Sequence, residues 1–259
     1  MPDLSLLFVL AAAAFVAGLI DSVVGGGGLI QIPALFTALP GESPATLFGT
    51  NKTASVFGTA NAAWRYARSV RIPWRTTLPA ALAAFACSYL GALAVAWLPR
   101  EALRPLILVL LIGAAIHTFR QKHFGSEHRP QHAGQRELVL ALLLGGVIGF
   151  YDGFFGPGTG SFLIFLFVRV FGFDFLHASA AAKIVNVATN LAALAYFVPN
   201  GYLLPQLALW MVVANVAGSQ LGTRLALKNG SAFVRRVFLF VVSVLIVKFA
   251  LDTWQNTVF

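Results

Sequence analysis

The sequence predicts an all-α polytopic membrane protein made of two inverted repeats, each a glycine-broken re-entrant hairpin followed by three transmembrane helices. Three observations carry this prediction. Apolar residues fill 58% of the 259 positions and charged residues only 10%, against roughly 45–50% and about 25% in soluble domains. The two halves match one another at an offset of 131 residues. The basic residues sit in short gaps between apolar runs, which is how membrane proteins set their orientation.

The composition excludes an ordinary soluble enzyme, a disordered tail and a DNA-binding module. The net charge of +9 has no basic run interleaved with aromatics, so no nucleic-acid partner is expected; the lipid bilayer is. The one cysteine, Cys87, leaves no disulfide scaffold, no paired-cysteine zinc site and no thiol relay. Asp3 and the absence of Lys or Arg before Leu4 argue against a signal peptide, so 4–20 is expected to be a retained membrane segment.

The apolar segments run over 4–39, 44–64, 76–98, 105–119, 138–171, 175–197, 203–223 and 237–251. Most approach the roughly 20 residues that cross a bilayer. The segments 4–39 and 138–171 are too long for one crossing, and glycines break both. The breaks are Gly25-Gly26-Gly27-Gly28 and Gly156-Pro157-Gly158-Thr159-Gly160. In the second half the expected hairpin legs are 138–151 and 161–171, each roughly 15–20 Å long; whether 4–24 is a leg or a full span is open. The polar stretch 120–136 divides the chain into a first transmembrane repeat, 1–119, a cytoplasmic linker, 120–136, and a second repeat, 137–259.

At the offset of 131, Gly18 falls on Gly149, Asp21 on Asp152, Gly25 on Gly156, Gly27 on Gly158, Lys52 on Lys183, Ser88 on Ser219, Gly91 on Gly222 and Arg104 on Arg235. Glycine matches alone would mean little. Aspartate and lysine are rare here, so their coincidence at one offset marks a repeat.

These paired elements, Gly18-x-x-Asp21-x-x-x-Gly25-Gly26-Gly27-Gly28 and Gly149-x-x-Asp152-x-x-x-Gly156-Pro157-Gly158, together with Gly49-Thr50-Asn51-Lys52-Thr53, resemble the sulfite exporter TauE/SafE family, also called the 4-toluene sulfonate uptake permeases. The resemblance covers nearly the whole chain. It implies a bacterial inner-membrane carrier for small sulfur-containing anions such as sulfite, thiosulfate or sulfonates. The second half departs from the pattern: Ala181-Ala182-Lys183-Ile184 keeps the lysine and loses the Asn and Thr beside it.

Charge counting favours inversion. With loop 65–75 cytoplasmic, an inverted second half places 13 basic residues inside and two, Arg100 and Arg104, outside; a parallel second half gives 8 against 7. The bias toward basic cytoplasmic loops selects the first. Loop 198–205 then faces outside, and 120–136 and 224–236 face the cytoplasm.

Five charged side chains lie well inside apolar segments: Asp21, Asp152, Lys52, Lys183 and Lys248. Lys248 is near a helix end and can snorkel. The others form two repeat-related pairs, each charged side chain costing about 2.5–3.5 kcal/mol in a bilayer even on the lenient insertion scale. They read either as structural ion pairs or as part of an anion site, and the two readings are compatible. Ser55 and Thr59 follow Lys52, and Asn186 and Asn190 follow Lys183, at offsets of 3 and 7 that share a helical face. The candidate substrate-binding residues are therefore Gly25, Gly26, Gly27, Gly28, Asn51, Lys52, Ser55, Gly156, Gly158, Gly160, Ser161, Lys183, Asn186 and Asn190. The glycines either let helices pack closely or present amide groups to an oxyanion.

Asp21 and Asp152 would repel an anion unless each is paired with a lysine or protonated, so they are candidates for an ion pair or for proton coupling. Asn215 and Gln220 are weaker candidates for the path. Ser88-x-x-Gly91 and Ser219-x-x-Gly222 read as packing faces. Ser161 has no histidine in the membrane core to activate it, so no catalytic residue is assigned. His117, His123, His128 and His132 show no metal-ligand spacing, and His177 stands near a helix start; no metal and no cofactor are assigned. No ATP-binding motif occurs, so the expected activity is secondary transport of a small anion by alternating access. An anion channel or a membrane-embedded scaffold is the alternative. The sequence does not fix the oligomeric state.

Overall fold

The computed structural model describes residues 4–94, 125 and 127–258. The expected segment 105–119, with Arg100, Arg104, His117 and His123, lies outside the described residues, as does the side chain of Lys248. Among the described residues the regular structure is entirely helical: α1 (Leu4–Val24), α2 (Gly28–Ala38), α3 (Pro44–Ser69), α4 (Trp74–Ala94), α5 (Gly134–Phe154), α6 (Thr159–Phe171), α7 (Phe175–Phe197) and α8 (Pro205–Val258).

Length sorts these helices. Helices α1, α4 and α5 have 21 residues and α7 has 23, which is about 32–35 Å and enough for a hydrocarbon core of about 30 Å. Helices α2 and α6 have 11 and 13 residues, about 16–20 Å, and fall short. Each glycine-broken hairpin thus has a long first leg and a short second one. This corrects the expected leg 138–151: α5 starts four residues earlier, on Gly134–Glu137, and runs to Phe154. Polar residues at a helix end can face water, so they do not stop the helix where the apolar run stops. The expected loop 224–236 is shorter than its bounds: the chain is helical on both sides of a break at Gly230, with φ 70° and ψ −169°, so α8 is two helical arms that meet at a kink inside that stretch.

The ends are set locally. Ser43 caps α3, accepting from the Thr46 amide at 3.1 Å, with Pro44 in the first turn. Asp174 caps α7 by accepting from the Leu176 and His177 amides at 2.8 and 2.9 Å. The hairpin breaks turn at Gly25 (φ 79°) and Gly156 (φ 91°), values that glycine alone adopts cheaply.

The packing exchanges partners between halves. Helix α1 lies parallel to the first arm of α8: Gly18 abuts the backbone of Asn215, Gly218 that of Phe15, and Gly222 that of Leu19. Its repeat mate α5 lies parallel to α4 through Gly145 on Ala80, Gly149 on Ala84 and Gly153 on Ser88. A Cβ at any of these glycines would come within 1.9–2.4 Å of the facing backbone, so only small residues allow the approach. The serines of the two packing faces make matched bonds, Ser88 to the Thr189 carbonyl at 2.9 Å and Ser219 to the Gly58 carbonyl at 2.6 Å.

Between these pairs lie α3 and α7, themselves repeat mates, and they run antiparallel. Gly49 near the start of α3 sits beside Phe197 at the end of α7. At the other end Tyr66 and Ser179 donate to the adjacent carbonyls of Ser22 and Val23, at 3.0 and 3.2 Å. The arrangement is inside-out relative to a soluble protein. Leu143 and Phe240 are 61% and 71% exposed, while Lys52 and Lys183 are 3% and 0% exposed. Apolar side chains on the outside and charges within are what a lipid solvent selects.

Candidate functional site

Helices α3 and α7 each carry a lysine at their ninth residue, Lys52 and Lys183. Because the helices are antiparallel, the two lysines approach the middle of the molecule from opposite ends. Each meets the aspartate of the other repeat. Lys52 Nζ donates to Asp152 Oδ2 at 2.5 Å, with both side chains buried. Lys183 Nζ lies 3.1 Å from Asp21 Oδ2 and also donates to the Asp21 backbone carbonyl. Asp21 additionally accepts from Thr59 Oγ1 at 3.3 Å.

The two glycine breaks touch. Ser161 N donates to the Gly25 carbonyl at 2.9 Å, and Ser161 Oγ to the Val24 carbonyl at 2.8 Å. A Cβ on Gly25 would lie 2.2 Å from the Gly160 carbonyl carbon. The N-termini of α2 and α6 begin at this junction, and neither has a side-chain cap. The Leu29, Ile30, Thr159 and Ser161 amides are already bonded to the Gly26, Gly27, Gly156 and Gly25 carbonyls, so these ends favour an anion chiefly through their dipoles.

Where the breaks, α3 and α7 converge there is a small cavity of about 30 Å³. Helix α3 lines it with Asn51, Lys52, Ser55 and Thr59, and α7 with Asn186 and Asn190. The first hairpin supplies Asp21, Gly25 and Gly28; the second supplies Asp152, Gly156, Gly158, Thr159 and Gly160. The buried Asn51 Oδ1 has no hydrogen-bond partner among the described residues.

Four of the residues singled out in the sequence are placed elsewhere. Gly26 packs against Val241 and Ile20, and Gly27 against the Ala17 carbonyl and Asp21 Cβ. Ser161 is spent tying the hairpins together, and Lys183 is held by Asp21 behind the cavity wall. Of the two weaker candidates, Asn215 donates to Ala14 O and Gln31 Oε1, at 3.2 and 3.0 Å, while Gln220 is exposed; neither lines the cavity. The sequence reading missed Thr159 as a wall residue and missed the fully buried Gln31, although a glutamine amid the apolar residues of α2 was a usable signal.

The Sulfite exporter TauE/SafE profile matches residues 10–249. The chain belongs to the TauE/SafE family. Relatives extend along almost its full length. A probable membrane transporter protein, ORF9, of Sinorhizobium sp is 37% identical over 254 residues, covering 97% of this chain and 96% of its own. The probable membrane transporter protein YfcA of Escherichia coli strain K12 is 35% identical over 248 residues, covering 96% and 91%. A probable membrane transporter protein of Haemophilus influenzae is 33% identical over 232 residues, covering 90% and 89%. No solved structure matches. This TauE/SafE protein is a multi-pass membrane transporter, in keeping with the four span-length apolar helices among the described residues.

Proposed function

We propose that this transporter carries a small sulfur-containing oxyanion, such as sulfite, thiosulfate or an organosulfonate, across the inner membrane by alternating access, without catalysing a chemical step. The observation that carries the reading is the cavity at the junction of the two breaks. It combines one lysine, the amide side chains of Asn51, Asn186 and Asn190, the hydroxyls of Ser55, Thr59 and Thr159, and two uncapped helix N-termini. Such a wall offers donors in several directions, which a tetrahedral or pyramidal oxyanion can use. The unpaired polar atom of Asn51 belongs to an amide that can turn its NH₂ toward an anion.

The cavity is small, about 30 Å³. We read this as a contracted state that widens to admit an anion. We read the two ion pairs as the groups that separate during widening. They approach from opposite ends of α3 and α7, so opening one at a time would expose the site to one side at a time. The carboxylates also bear on coupling. Lys52 is already neutralised by Asp152, so an anion must either displace that carboxylate or arrive with a proton for it. A proton is thus the proposed coupling ion.

Inversion of the repeats in the membrane belongs to the same reading. It is supported by the antiparallel run of α3 and α7, by the exchange of partners between halves, and by the 13-to-2 distribution of basic residues. Two measurements test the whole. Saturable counterflow of labelled anion in proteoliposomes is expected of a carrier; flux without counterflow would indicate a channel, and no flux a scaffold. In a Cys87→Ser background, Asn200→Cys should be labelled from outside in intact cells and Asn229→Cys should not; the reverse pattern would end the inversion reading.

A further inference from the structure

The geometry points to a divalent transition-metal site at the corner between α6 and α7, formed by His128, Asp174 and His177 and independent of the anion cavity. One ligand atom from each of the three lies within 4.8 Å of the other two. His177 Nδ1 is 2.6 Å from Asp174 Oδ2, and His128 Nδ1 is 4.0 Å from the same oxygen. The two imidazoles stack with centroids 4.1 Å apart. Around an ion with bonds of about 2.0–2.2 Å, neighbouring ligand atoms stand roughly 3–4 Å apart. Without an ion His177 Nδ1 and Asp174 Oδ2 hydrogen-bond to one another; an ion would replace the shared proton, with that pair opening by under about 1 Å and His128 turning inward by a similar amount.

The cluster is held in place from behind. Asp174 Oδ1 accepts from the Leu176 and His177 amides and from Ser231 Oγ, at 2.8, 2.9 and 2.9 Å. That leaves Oδ2 as the oxygen turned to the imidazoles, the arrangement in which outer partners orient a ligating carboxylate. The segment that carries His128 is pinned to the same corner by three backbone bonds. Arg129 N donates to the Gly172 carbonyl, Gln131 N to the Phe171 carbonyl and Phe175 N to the Gly125 carbonyl, at 2.8, 3.0 and 2.8 Å. The ligands are therefore assembled from sequence positions nearly fifty residues apart, which is why no spacing motif announces them.

Two imidazoles and one carboxylate suit Zn²⁺ or Co²⁺ and leave a coordination position for water; a single carboxylate does not suit Mg²⁺ or Ca²⁺. A bound ion would fasten the segment between the two repeats to the start of α7, the helix that bears Lys183.

The test uses the full chain purified without a polyhistidine tag and stripped with chelator. Zn²⁺ is titrated against a chromophoric competitor, and Co²⁺ is added to read its visible ligand-field spectrum. One ion per chain is expected, with a rise in melting temperature from Zn²⁺ and none from Mg²⁺. His128→Ala and His177→Ala should each weaken binding by at least about tenfold, since the loss of even an outer partner costs that much. His128 caps no helix, so His128→Ala should keep the metal-free melting temperature of the wild type and separate ligation from folding. His132→Ala should bind as the wild type does. No stoichiometric ion, or undiminished affinity in both His128→Ala and His177→Ala, overturns the proposal.

Discussion

The pairs Lys52–Asp152 and Lys183–Asp21 use the same residue types at the same positions of two repeats, yet their surroundings differ. Lys52 and Asp152 both face the cavity, and both side chains are at most 4% exposed. Lys183 is 0% exposed and behind the wall, while its partner Asp21 is 16% exposed and reaches the cavity. Lys183 also bonds the Asp21 carbonyl in the last turn of α1, where the helix dipole favours a cation. A repeat supplies the same chemistry twice. On the proposed reading, one copy serves the site and the other closure.

Substitutions at the breaks should split this comparison most widely. Gly25 and Gly156 are repeat mates with positive φ, so alanine at either costs about 1–2 kcal/mol in backbone strain. At Gly25 the new Cβ would also strike the backbone of Gly160 and Ser161, at 2.2 and 2.6 Å. At Gly156 it would meet the Asp152 carbonyl oxygen at 3.1 Å and Asp152 Oδ1 and Lys52 Nζ at 3.2 Å, tighter than ordinary contact but far short of the overlap at Gly25. Gly25→Ala is expected to lose most monodisperse protein in size-exclusion chromatography. Gly156→Ala should fold and instead lose anion binding. Equal yields and equal binding would show that the two breaks are interchangeable.

The lysines come next. Removing one partner of a buried pair costs about 3–5 kcal/mol because it strands a charge, so both alanine variants should melt earlier. They should differ in binding. Lys52→Ala is expected to weaken anion affinity by at least about tenfold, the loss of a charge-assisted contact, whereas Lys183→Ala should slow transport with a smaller effect on equilibrium binding. Lys→Arg at each position, which keeps the charge, separates stability from recognition. Equal loss of affinity in both alanine variants would place Lys183 in the site with Lys52.

How much of this was legible in the sequence follows from the kind of signal involved. Lysine and aspartate are so costly in apolar segments that Asp21, Asp152, Lys52 and Lys183 stand out unaided. Their shared offset marks them as repeat mates. The exchange of partners, Lys52 with Asp152 and Lys183 with Asp21, depends on how the halves dock, which no local pattern encodes. The stripe Ser55, Thr59, Asn186 and Asn190 was readable because helical periodicity puts offsets of 3 and 7 on one face. Gly26, Gly27 and Ser161 share the composition of the break with true wall residues, and only their packing separates them. The extra first turn of α5 escaped because polarity limits a membrane segment without ending a helix.

A smaller effect concerns protons. With Asp152→Asn and Asp21→Asn, transport rates measured against pH should flatten, and more so for Asp152→Asn, because its partner lysine faces the substrate. Wild-type pH profiles in both variants would remove the proton from the cycle and leave the aspartates as ion-pair partners alone.

The most direct measurement of the central claim is equilibrium binding of sulfite, thiosulfate and an organosulfonate to purified wild type, Asp152→Asn and Lys52→Ala, at one pH and one ionic strength. If the cavity is the anion site and Asp152 the carboxylate that occupies Lys52 in the absence of substrate, neutralising Asp152 frees the lysine. Asp152→Asn should then bind at least one of these anions more tightly than wild type, by about tenfold for about 1.4 kcal/mol of relieved competition, and Lys52→Ala should bind it far more weakly. Affinity unchanged by Asp152→Asn together with affinity retained in Lys52→Ala would contradict the account.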